Sequence, residues 1–142
     1  MEKKEIAELF MKGIDCSQVV VGEFAEELGI TTEEAYKMSA AFGGGMGLGE
    51  TCGAVVGAMI VLGLKYGHCE VEHMGQKDIM NAKRAEFLQK FQEKYAVCNC
   101  KGLLKHDISK PEEMQKILDE GLLFDFCPEV VKDSITILKE IF

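Results

Sequence analysis

The segment that most constrains the fold is the apolar run Ala54 to Leu64, which follows Thr51-Cys52-Gly53 and gives way to Tyr66-Gly67. A membrane-spanning helix needs about 20 predominantly apolar residues. This run is shorter and broken by glycine, so it predicts a buried core helix from Cys52 to Tyr66 and no membrane insertion. Gly53 and Gly57 stand four apart on one side of that helix, where absent side chains call for a very close neighbour.

A helix this apolar must be covered by others, and helix signals recur along the chain while no alternating run reads as a strand. A first helix is predicted over Lys4 to Lys12, stopped at Gly13. A second opens at the N-cap Asp15 and runs to Leu28, with Val20, Val21, Phe24, Ala25 and Leu28 on one face. Thr31 with Glu34 forms a capping-box pattern for a third, continuing through Ala41. After a polar connection from His68 to Gly75, the residues Met80, Phe87, Leu88, Phe91 and Tyr95 define the inner face of a fifth. Ser109 with Glu112 opens a further helix through Leu118, stopped by Gly121. The last is predicted to begin at Cys127-Pro128, with proline at its first position and Val131, Ile135 and Leu138 inward. The expected architecture is all-α, a compact bundle of about six to seven helices forming a single domain over 1–142, a length that can bury a core of its own.

The same helix starts point to chemistry. Thr51 as N-cap puts Cys52 in the first helical turn, where free backbone N–H groups and the helix dipole favour negative charge. Cys16 follows Asp15 and Cys127 precedes Pro128, so three cysteines fall at predicted helix N-termini. Such placement lowers a thiol's pKa below the roughly 8.5 of free cysteine, and the thiolate attacks disulfides and binds soft metals. Cys52 is accordingly the expected leading nucleophile.

Bulk properties narrow the partners. The net charge of -8 over 142 residues argues against nucleic acid, whose phosphates require clustered Lys and Arg. Glu2, Lys3 and Lys4 are not followed by the apolar run of a signal peptide, so the expected location is cytoplasmic. Cytosolic thiol systems keep most cysteines reduced, and the six here are then catalytic, metal-binding or structural, with no permanent disulfide framework.

Cys52-Gly53-Ala54-Val55-Val56-Gly57 reads CGAxxG, and with it the chain resembles the C_GCAxxG_C_C family of small bacterial redox-active proteins, named for four cysteines. The resemblance runs over nearly the whole chain: Cys16 in Asp15-Cys16-Ser17, Cys52 in the CGAxxG string, Cys100 before Leu103-Leu104 and Asp107, and Cys127. It implies a redox role for Cys16, Cys52, Cys100 and Cys127 and no particular substrate. Thiol/disulfide exchange or electron transfer is the first expectation, with Cys52 attacking and one of Cys16, Cys100 or Cys127 resolving, as in a thiol-dependent oxidoreductase with an unidentified redox partner protein. The absence of CxxC and of a βαβ pattern sets it apart from thioredoxin-like domains. The alternative uses the same four cysteines as ligands of an iron–sulfur cluster or zinc. A third reading is a helical interaction module whose cysteines are core filling; a homo-oligomer is compatible with all three.

Other segments carry less. Cys98 and Cys100 share a side if their segment is extended and so form a CxC candidate for metal or disulfide chemistry. His68-Cys69-Glu70-Val71-Glu72-His73 lacks the paired spacing of a structural zinc site and reads as a solvated loop. Gly43 to Gly49 contains neither a P-loop lysine nor GxGxxG, so it is assigned to close backbone approach around Cys52. His106 and Asp107 could orient or deprotonate a thiol, but a His-Asp pair beside a loop is more often solvated, and neither is assigned a role.

Overall fold

Ala54, Val55, Ala58, Val61 and Leu62 are all buried, and the rest of the chain is arranged around the helix that carries them. The computed structural model describes Met1–Phe142 as eight α-helices without a strand: α1 (Lys3–Met11), α2 (Cys16–Glu23), α3 (Thr32–Ser39), α4 (Gly53–Tyr66), α5 (Met74–Lys94), α6 (Cys100–Leu104), α7 (Pro111–Asp119) and α8 (Leu122–Ile141). The all-α expectation holds, while the count exceeds six to seven because α6 is only five residues long. A helix that short shows no periodicity to read.

Helix α2 crosses α4 at the glycine face. A Cβ on Gly57 would stand 3.0 Å from both the Ser17 carbonyl oxygen and Val20 Cβ, tighter than ordinary contact, so the two backbones meet only because the side chain is missing. Val19, Val20 and Val21 fill the other side of this contact, Phe87 and Phe91 come from α5, and Val131, Ile135 and Leu138 from α8. Ser17, fully buried, donates to the Ser39 carbonyl at 2.8 Å. That bond ties α2 to the end of α3 without leaving a buried hydroxyl unpaired.

Several helix boundaries differ from those expected. The predicted second helix ends at Glu23, and the third passes at Ser39 into a single 3-10 turn, Ala40–Phe42. The Thr31 cap is present, with the Glu34 N–H donating to Thr31 Oγ1 at 3.0 Å. Ser109 does not cap α7; it bonds Asp107, and α7 starts at Pro111. Helix α8 begins five residues before Cys127, directly after Gly121 at φ 72°. Gly121 takes the left-handed conformation that turns the chain from α7 into α8, and Pro128 is carried inside the helix rather than at its start.

Candidate functional site

Three short backbone devices place the thiols. Cys16 is the first residue of α2, behind the N-cap Asp15, whose N–H donates to Gln18 Oε1 at 2.8 Å. Cys52 is itself the N-cap of α4, its carbonyl accepting from the N–H groups of Val55 and Val56 at 2.9 and 3.0 Å. Thr51, expected in the cap position, instead forms an isolated antiparallel bridge with Asn99. Across that bridge the Cys52 N–H donates to the Cys98 carbonyl at 2.8 Å and the Cys100 N–H to the Glu50 carbonyl at 2.7 Å. Asn99 Oδ1 then accepts from the Gly102 N–H at 2.6 Å and caps α6, of which Cys100 is the first residue.

Cys16, Cys52, Cys100 and Cys127 all line one cavity of about 290 Å³ between α2, α4, α6 and α8. Three of them stand at helix starts, but the third is Cys100 and not Cys127, which lies a turn and a half inside α8. All six cysteines are free thiols, and Cys69 is exposed on the loop before α5. Cys98 is outside the cavity lining; its carbonyl accepts from the Cys52 N–H. His106 pairs with Glu120 at 3.1 Å, and Asp107 accepts from Ser109, which holds its carboxyl below the usual range.

Cys16 sits at the centre of the group. A Cβ on Gly53 would overlap its Sγ and stand 2.9 Å from the Phe42 carbonyl oxygen, so the glycine of the CGAxxG string is the floor on which the Cys16 sulfur rests. The glycine-rich stretch closes over the same sulfur: Gly44, Gly45, Met46 and Gly47 are successively at φ 64°, 61°, 61° and 71°, a left-handed turn for which glycine is suited. The backbone N–H groups of Gly44 and Ser17 oppose the effect of burial on the Cys16 thiol. The close approaches of this stretch are to Asp15 at Gly43 and to the Glu50 backbone at Gly45.

The expectation of lowered thiol pKa values is overturned. Burial raises the Cys16 thiol against the opposing backbone N–H groups. Burial, reinforced by the neighbouring Cys16, pushes Cys52 up to about 12 despite the N–H groups of Ala54 and Val55. Cys100 rises to about 11 for the same two reasons, and Cys127 rises with burial and all three neighbours against it. In a wall built from Phe10, Ile14, Leu104, Ile108, Met114 and Phe126, lost hydration outweighs helix-terminal donors. The sulfurs thus rest as neutral thiols. The sequence reading missed this apolar wall, although Leu103-Leu104 beside Cys100 is its local sign.

No three Cys, His, Asp or Glu side chains are grouped so as to hold one metal ion.

The all-helical chain thus gathers four of its six thiols into one apolar cavity. The C_GCAxxG_C_C family, described as "Putative redox-active protein", matches residues 14–141, and the chain belongs to it. No curated protein and no solved structure matches. No helix is long and apolar enough to cross a membrane.

Proposed function

We propose that the cavity is a dithiol/disulfide redox centre in which Cys16 and Cys52 are the working pair. The observation that supports it is the position of Cys16: its sulfur rests against Gly53, the residue after Cys52, in the cavity that both cysteines line. We assign Cys16 as the attacking thiol in place of Cys52 because its sulfur lies against the backbone that follows Cys52; the N–H groups beside it oppose, without overcoming, the effect of burial. The thiolate, having lost its proton, attacks one sulfur of a substrate disulfide and releases the other as a thiol, leaving a mixed disulfide on Cys16. Cys52 then attacks Cys16 Sγ, expels the second substrate thiol and closes an intramolecular disulfide. Two thiol hydrogens and two electrons pass from the protein to the substrate. Cys100 and Cys127 face the same space and receive the disulfide by further exchange. In the cytoplasm a redox partner protein would return the pair to thiols.

The test is anaerobic titration with diamide followed by peptide mapping. The first internal product should be a disulfide between Cys16 and Cys52, with loss of two hydrogens. A protein in which only Cys69 reacts would end this reading. Metal analysis and an absorption spectrum of anaerobically purified protein check the ligand alternative, since stoichiometric iron or zinc, lost to a chelator, would favour ligation by the same cysteines.

A further inference from the structure

The cavity that holds the thiols has a composition of its own, and it bears on what can enter. Fifteen of its 20 lining residues are hydrophobic, counting the four cysteines. No Lys, Arg or His lines it, and its one ionisable side chain apart from the thiols is Asp15, an exposed residue at the rim. Lys101, next to Cys100, is turned toward Glu50 and Asp107 at 3.8 and 3.9 Å. An anion in this space would meet a carboxylate at the rim, no cation inside, and walls that cannot replace its hydration; burying an unpaired charge in such surroundings is strongly unfavourable. At about 290 Å³ the space is close to the ~300 Å³ at which small-ligand sites begin.

Resting on the dithiol reading above, we infer that the cavity takes a small, uncharged, apolar disulfide as its oxidising substrate. The reaction is R–S–S–R plus the Cys16 and Cys52 thiols giving two R–SH and the Cys16–Cys52 disulfide. The substrate disulfide is reduced by two electrons and takes up both thiol protons, and the protein pair is oxidised by the same two. The R groups lie against Phe10, Ile108, Met114 and Phe126, while the S–S bond meets Cys16 on the side lined by Gly44 and Gly53.

Stopped-time mapping of internal disulfide formation with diethyl disulfide, hydroxyethyl disulfide and oxidised glutathione tests this. Each rate is divided by the rate of the same reagent on the urea-unfolded chain, which removes intrinsic reactivity. The folded-to-unfolded ratio should be greatest for diethyl disulfide, intermediate for hydroxyethyl disulfide, and about tenfold or more lower for oxidised glutathione, whose charge cannot be left unpaired in the cavity. Ile108→Lys, which adds a cation beside Gly44, should raise the ratio for oxidised glutathione. Equal ratios, or a larger one for oxidised glutathione, would overturn the substrate class and leave the dithiol centre standing. Failure of every reagent, diamide included, to form an internal disulfide would overturn the dithiol reading and this inference with it.

Discussion

Gly53 shows how one missing side chain serves packing and chemistry together. Its Cα leaves the volume that the Cys16 sulfur fills, with the Phe42 carbonyl on the other side. Gly53→Ala should force both apart and destabilise the protein by about 1–3 kcal/mol, the usual range for overpacking; a thermal melt matching wild type would show that the sulfur moves freely. Cys52 carries a second prediction at this scale. Its thiol, pushed up to about 12 by burial and by Cys16, is almost wholly protonated near neutrality, and only the thiolate alkylates. Iodoacetamide should therefore label the exposed Cys69 before Cys52, and the Cys52 rate should still be climbing well above pH 9. Mass spectrometry of the labelled peptides across pH checks both, and a Cys52 rate that levels off near neutral pH would contradict the burial argument.

Among the elements, α4 was the most legible, because an apolar run with Gly53 and Gly57 on one side specifies both burial and a close partner. Gly57→Leu should cost about 1–3 kcal/mol by driving into the Ser17 backbone and Val20, measured as a fall in the denaturant midpoint. The starts of α6 and α8 were not legible. Asn99 caps α6 through the Gly102 N–H, but the five-residue helix it opens is too short to show a period, and Pro128 imitates a helix start while sitting inside one. The left-handed turn over Cys16 offers a test of strain. Met46 holds φ 61° and ψ 30° there, which costs a side-chain-bearing residue roughly 1–2 kcal/mol. Met46→Gly removes that cost and adds about 0.5–1 kcal/mol of unfolded-state entropy, so the net expectation is a gain of about 0.5–1 kcal/mol in urea unfolding. A loss would mean that the exposed Met46 side chain contributes packing that its position does not suggest.

For the molecule as a whole, the four relevant cysteines could be named from the CGAxxG string and its companions, but their ionisation could not. Helix-terminal position is visible in sequence, whereas the desolvation that outweighs it comes from Phe10 on α1, Met114 on α7 and Phe126 on α8, residues far apart along the chain. This reversal has a consequence for stability. In the unfolded chain the thiols ionise near the roughly 8.5 of free cysteine; in the fold, burial first and neighbouring sulfurs second raise Cys52 to about 12 and Cys100 to about 11, with Cys16 and Cys127 also raised. Between those limits the native state binds more protons than the unfolded state, so stability falls as pH rises. The contribution is fully present below about pH 8.5 and is lost progressively from there toward about pH 12. Tyr95, raised by burial and by its bond to Asp133, and the lysines titrate in the same range, so wild type alone does not isolate the thiols. The variant with Cys16, Cys52, Cys100 and Cys127 all changed to Ser keeps those other groups and lacks the four sulfurs. Urea midpoints at about pH 7 and about pH 10 should show a larger alkaline fall in reduced wild type than in that variant. Equal falls would mean that the thiols ionise as readily in the fold as outside it, and the neutral, water-poor cavity would have to be given up.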